Sequence, residues 1–219
     1  MKCKVKKYDT SSKVNEYIVK LSERSMKRIY SLTDATFGVA MTILILSVDI
    51  PLGLSVDKLH ETLFEHILPS LFVYILSFII LGAFWNETHY HNHLIFKSDV
   101  VISWLYIFFL MFICIIPFSS SFVIHYPNEK RSILFYLLNV LFANITNLLI
   151  VIYTWKNNYT KPSITDNHCK NIIFRIVVPS IFYIIFIPFA LFNQRWVLFI
   201  MPLPLLVQII LNATNKRII

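Results

Sequence analysis

The side chains able to do chemistry in this sequence are few, and most lie at the edges of long apolar runs. Arg28-Ile29-Tyr30-Ser31-Leu32-Thr33-Asp34-Ala35 places a carboxylate inside the first run, about one and a half helical turns from its start. An ionisable group in hydrocarbon is costly, so Asp34 is expected to accept a hydrogen bond from another helix or to face water. Arg28 lies six residues away, too far for the usual i,i+4 pair on one helix. Trp85 and His89, one turn apart at the end of a second run, offer an indole N–H and an imidazole, both suitable donors. The plainer reading makes Arg28 an interfacial cation and Asp34 a first-turn residue favoured by the helix dipole.

His89 and His93 stand at i,i+4, with His91 between them, a spacing that zinc-binding histidines use on one helix face. No carboxylate or cysteine supplies a third ligand at a recognised spacing, so no metal site is expected. Cys3, Cys114 and Cys169 form no CxxC pair. GxSxG, P-loop, HExxH and GxGxxG patterns are absent from the sequence, so no enzyme and no cofactor is expected.

These residues must be held by membrane-spanning helices. Of 219 residues, 57% are hydrophobic and 15% charged, against ~45–50% and ~25% in an ordinary soluble domain. The mean hydropathy is +0.65. Six runs approach the roughly 20 apolar residues that a bilayer core requires: Ile29–Ile50, Ile67–Asn86, Asp99–Phe118, Ile133–Tyr153, Ile172–Phe192 and Trp196–Leu211. The last is short and carries Pro202 and Pro204, which predicts a kinked or tilted span. Polar residues lie inside the first three runs, and the last three are expected to be plainer. The expected architecture is an all-α integral membrane protein. It has a basic N-terminal segment over residues 1–28, a six-helix region over 29–211 and a short tail over 212–219.

Six spans place both termini on one side. On that side fall 16 of the 20 lysines and arginines, and four fall on the other. Positive charge collects in the cytoplasm, so both termini are expected there in a multi-pass protein. The net charge of +8 is thereby explained as topology, with the lipid bilayer rather than nucleic acid as the partner.

At about 100° per residue, Val39, Ile43, Leu46 and Ile50 fall within about 40° of one line on the first helix, with Thr42 at its flank. Such a branched aliphatic stripe usually packs against another helix; lining a pore is the alternative.

Three blocks in order carry a family resemblance. Arg28-x-x-x-Leu32-Thr33-Asp34-Ala35 resembles the R-x-x-x-F-S-D-G/A motif that opens the first helix of the transmembrane protein 175 family of potassium channels. Tyr74-Ile-Leu-Ser77-Phe78, followed by Trp85 and His89, is similar to that family's second helix. Asp99, Trp104-Leu105 and Ile116-Pro117-Phe118 are similar to its third. The resemblance covers residues 26–118.

The resemblance implies the bacterial form, with a single six-helix repeat per chain assembled as a homotetramer. First helices would line a central pore for potassium ions, with no TVGYG filter. An aliphatic constriction would fall at Val39, with further layers at Ile43 and Leu46 and with Thr42 near the pore. Arg28, Thr33, Asp34, Trp85 and His89 would match the polar network joining helices one and two. Leu32 and Thr33 replace the motif's Phe and Ser. Val39 stands where bacterial members place Ile or Leu; valine is one methylene shorter, which widens the expected neck. The implied function is a passive, potassium-preferring cation channel of the bacterial plasma membrane. A proton-permeable channel or transporter and a non-conducting membrane scaffold are the other two readings.

Overall fold

The computed structural model of the chain describes residues 10–49, 62–161 and 166–192, together with positions 60, 203, 204 and 207. Helix α1 spans Thr10–Leu44 and closes in a 3-10 turn over Ile45–Ser47. It passes through Arg28 without a break, so the basic segment from Thr10 and the first apolar run form a single rod about 52 Å long. A π-helical turn, Leu63–Ile67, leads into α2, Leu68–Asn92. Helices α3 (Val100–His125), α4 (Lys130–Lys156) and α5 (Asp166–Phe192) follow.

Five helices among the described residues are long and apolar enough to cross a membrane: Arg24–Ser47, Leu63–Asn92, Val100–His125, Lys130–Lys156 and Asp166–Leu191. The sixth run expected at Trp196–Leu211 lies outside the described residues except for three positions. The 212–219 tail and the stripe position Ile50 also lie outside them.

Helical spacing dictates what α1 buries. Met26, Thr33, Phe37, Ala40 and Leu44 recur at three, four or seven residues, and each is at most 3% exposed. This seam faces α2 and α3, where the Phe37 and Phe84 rings both pack on Phe109 at 6.1 Å between centroids. Helix α3 lies at the centre of the bundle, with Ile102, Phe109, Ile113 and Ile116 fully buried. Its start is fixed by Asp99, whose Oδ1 accepts from the Ile102 N–H at 2.8 Å as an N-cap.

The fourth run departs from the expected plainness. Helix α4 buries Ser132, Tyr136, Asn139, Asn144, Asn147 and Thr154. Asn139 Nδ2 donates to the Phe112 carbonyl of α3 at 3.2 Å, and Asn144 Nδ2 donates to Ser180 Oγ of α5 at 3.1 Å. A helix packed on several sides has no lipid to face there. Its amides instead satisfy one another and neighbouring carbonyls, as interhelical hydrogen bonds do in membranes.

One end of the bundle is bridged by loops. The 93–99 and 157–161 segments pair through Ile95 and Thr160, with Phe96 N–H donating to the Tyr159 carbonyl and Lys161 N–H to the Leu94 carbonyl. Tyr153 of α4 donates to Asp99 Oδ2 at 2.6 Å, and the Ser98 N–H donates to Ser22 Oγ of α1 at 2.7 Å. Helix α1 is therefore tied to the loops that join the other helices.

Candidate functional site

The aliphatic stripe is displaced from the buried seam by a single residue. Thr33, Ala40, Leu44 and Ser47 face inward, while Leu32, Val39, Ile43 and Leu46 stand one position earlier and rotated about 100°. Val39 is 56% exposed, Ile43 48% and Leu46 74%. No helix of the same chain covers this second apolar face among the described residues. Beside it runs a groove of about 360 Å³ lined by Val39, Ile43, Leu46, Cys114, Pro117 and Phe118. Thr42, at the flank of the stripe, turns its hydroxyl back to its own helix and donates to the Gly38 and Val39 carbonyls. The stripe thus presents hydrocarbon with no side-chain ligand pointing outward from Thr42.

The polar contact beside it joins α1 to α2. Trp85 donates its indole N–H to Asp34 Oδ1 at 3.0 Å. His89 stacks on Trp85, with ring centroids 5.4 Å apart at 26°, and pairs with His93 through facing Nε2 atoms at 3.1 Å. Thr33 is buried and donates to the Ile29 carbonyl at 2.8 Å, within α1. Arg28 is exposed and forms no ion pair with Asp34. It borders an open cavity with Ser25, Ile29 and Leu32. The structure therefore brings Asp34, Trp85 and His89 together and leaves Arg28 and Thr33 outside that contact. Among the described residues, no three His, Cys, Asp or Glu side chains are grouped to hold a metal ion.

At the other end of α1, His125 of α3 meets Asp49, Nε2 to Oδ2 at 2.9 Å, and Ser47 Oγ donates to the Pro117 carbonyl at 3.3 Å. The stripe is held between two polar ties, Asp34–Trp85 below and Asp49–His125 above.

Sequence reasoning did not single out Glu87. The apolar run ends at Asn86, whereas α2 continues to Asn92 and carries Glu87 inside the bundle at 4% exposure. Asn147 of α4 donates to it at 3.4 Å. Ser77 of α2 and Tyr136 of α4 also share a buried hydroxyl–hydroxyl bond of 2.9 Å, and Tyr106 donates to Asn92 Oδ1 at 2.6 Å. The available signal was helical phase: Ser77, Glu87 and Asn92 have buried partners on α3 or α4, whereas Trp85 and His89 face α1 or the surface.

Residues 28–117 match the family described as Endosomal/lysosomal potassium channel TMEM175. A potassium channel of Streptomyces collinus is 26% identical over 105 residues, covering 48% of this chain and 50% of that protein. A potassium channel of a Chryseobacterium species is 27% identical over 96 residues, covering 44% and 47% respectively. The match thus spans about half the length of these curated relatives. The endosomal/lysosomal proton channel TMEM175 of Danio rerio is 23% identical over 186 residues, covering 81% of this chain and 36% of its own. The fold is similar to the crystal structure of a lysosomal potassium-selective channel TMEM175 homolog from Chamaesiphon Minutus, with a TM-score of 0.67. That likeness carries 16% identity and covers 88% of this chain and 98% of the other. The segment that holds the α1 stripe and the Asp34–Trp85 contact is the segment that matches the TMEM175 family model.

Proposed function

We propose that the protein is a passive cation channel that prefers potassium, with α1 from several copies surrounding one pore. The observation that carries this reading is the second apolar seam of α1, Val39, Ile43 and Leu46, left uncovered among the described residues. Other apolar faces of the bundle meet lipid; this one is assigned to the pore because it lies on the helix tied to α2 by the Asp34–Trp85 contact, within the segment that matches the family model. Val39 is the narrowest layer on this reading, Ile43 and Leu46 are further layers, and Thr42 flanks them. Two bacterial relatives, each similar over about half of its length, are named potassium channels, which supports the choice of ion.

The mechanism follows from what such a ring lacks. Aliphatic side chains offer a cation no ligand, so an ion must keep most of its water or shed it at a cost. Potassium sheds water more readily than sodium, so a dehydrating neck favours it. The Asp34–Trp85 contact, with His89 stacked on Trp85, fixes the rotation of α1 against α2 and so aims the stripe. The full assembly is a homotetramer with six spans per chain, Trp196–Leu211 being the sixth. Both termini face the cytoplasm of a bacterial cell, because the basic residues gather on that side. No catalysis and no cofactor enters this mechanism.

Proton permeation is the second reading, favoured by the name of the Danio rerio relative. Purified protein in liposomes, given potassium, sodium and proton gradients separately, tests both. Potassium-driven flux that is lost in Asp34→Ala supports the channel. Flux driven by protons alone supports the second reading. No flux from protein verified as assembled leaves a scaffold and overturns the proposal.

A further inference from the structure

The end of α2 carries a pair of histidines away from the α1 stripe. His89 lies in the last turn, and His93 follows as the C-cap with helical backbone, φ −68° and ψ −19°. The i,i+4 step therefore holds through the helix end, and the two rings stand on one face. Their Nε2 atoms are 3.1 Å apart, with ring centroids at 4.6 Å and planes at 88°. Both residues are exposed, so ions in solution reach them.

The separation of the two nitrogens is a ligand bite. Two imidazole nitrogens, each about 2.0–2.1 Å from one tetrahedral ion, stand about 3.3 Å apart. The pair is close to that spacing without any change in the helix. In the neutral pair one Nε2–H donates to the other ring's Nε2. A metal ion takes the place of that shared proton, which moves to Nδ1 of its own ring. Each imidazole then keeps one proton on Nδ1 and offers one Nε2 lone pair, and no proton is released.

The surroundings suit a cation. The C-terminal end of a helix presents the negative end of its dipole. Asp34 stands behind Trp85, on which His89 stacks, and adds a carboxylate without joining the pair. Spacing alone predicted no metal here, for want of a third ligand, and no third His, Cys, Asp or Glu is grouped with the pair among the described residues. At an exposed site water fills the remaining positions, so an ion exchanges rather than resides. Imidazole suits Zn2+, Cu2+ and Ni2+, whereas Mg2+ and Ca2+ prefer oxygen.

We propose that His89 and His93 form an exchangeable site for a divalent transition cation, Cu2+ or Zn2+, bound through both Nε2 atoms with water completing its shell. The bound ion clasps the end of α2 to the start of the 93–99 segment. That junction is tied to α1 twice, through Trp85 to Asp34 and through Ser98 to Ser22. The site is independent of the aliphatic stripe and of which ion the stripe passes.

Electron spin-echo modulation of Cu2+, added at one ion per chain, counts the imidazoles bound to it. The sample is the full chain in lipid nanodiscs, free of any polyhistidine tag. The expected result is a two-imidazole signature that is lost in His93→Gln, which keeps the Trp85–His89 stack. Zn2+ should also raise the melting temperature of the wild type, as any ligand of the folded state does, and leave that of His93→Gln unchanged. A wild-type signal from one imidazole, or from none, would overturn the proposal without recourse to any variant. A two-imidazole signature that survives His93→Gln would assign the ion to other histidines and overturn it too. An equal Zn2+ shift in the two proteins would do the same. Neither readout requires conduction, so the outcome stands apart from that of the flux assay.

Discussion

Trp85 donates its indole N–H to Asp34 across 3.0 Å, and this contact sets how α2 meets the helix that carries the aliphatic stripe. Asp34 sits five residues before Val39 on the same continuous helix, so a rotation of α1 at Asp34 is transmitted to Val39. The stripe's direction therefore depends on a hydrogen bond more than one turn away from it.

Removing the acceptor should release that rotation. Asp34→Ala is expected to lower the yield of assembled protein or abolish cation flux. Trp85→Phe keeps a ring for His89 to stack on and should cost about 1 kcal/mol, below the usual range for a bond to a charged group because the contact is partly open to solvent. Thermal unfolding and size-exclusion chromatography in detergent check both; a normally assembled, fully active Asp34→Ala protein would sink the idea.

Lengthening the stripe by one methylene should tighten the neck. Val39→Ile is expected to raise the potassium-over-sodium permeability ratio and to reduce current. Reversal potentials under mixed-ion conditions measure it, and an unchanged ratio would show that Val39 is not the narrow layer.

Neighbouring residues on α1 should respond oppositely to added bulk. Ala40, 3% exposed, packs within the bundle, so Ala40→Leu is expected to destabilise the chain by about 1–3 kcal/mol through overpacking. Val39→Leu should leave stability near wild type while changing conduction. Equal loss of melting temperature in the two variants would contradict the assignment of two faces.

The Ser77–Tyr136 pair is buried between α2 and α4, each hydroxyl satisfying the other. Ser77→Ala or Tyr136→Phe alone strands one hydroxyl and should cost about 1–3 kcal/mol. The double variant should cost less than the two together, because neither hydroxyl is left orphaned. Strict additivity in thermal unfolding would mean that the pair is not coupled.

Asp99 serves two elements, capping α3 through one oxygen and accepting from Tyr153 through the other. Asp99→Ala is expected to cost about 2 kcal/mol through loss of both the cap and the Tyr153 acceptor, and Asp99→Asn about half of that, since asparagine keeps the cap oxygen but puts an amide NH2 where Tyr153 donates. Indistinguishable melting of these two variants would refute the capping role.

The sequence by itself determined the class of protein and most of the spans. Long apolar runs need no tertiary information, because a bilayer demands roughly 20 such residues whatever their neighbours. The all-helical, multi-pass reading followed from that, and five of the six runs appear as helices long enough to cross. The pairing of Asp34 with a Trp85 donor was also legible, since a carboxylate in hydrocarbon has few ways to be satisfied.

The tertiary structure decided what depends on facing. The stripe at Val39, Ile43 and Leu46 and the seam at Ala40 and Leu44 are both aliphatic and share one helical period, and hydropathy cannot tell which one the bundle takes. Packing against Phe109 chose the second and left the first exposed. The apolar run stopped at Asn86, yet α2 continued because Glu87 and Asn92 find partners on α4 and α3. The fourth run read as plain for a related reason. Asparagines scattered along an apolar helix gain meaning only once the helices that present carbonyls and hydroxyls to them are in place, and Asn139, Asn144 and Asn147 point to partners 27 or more residues away in the chain.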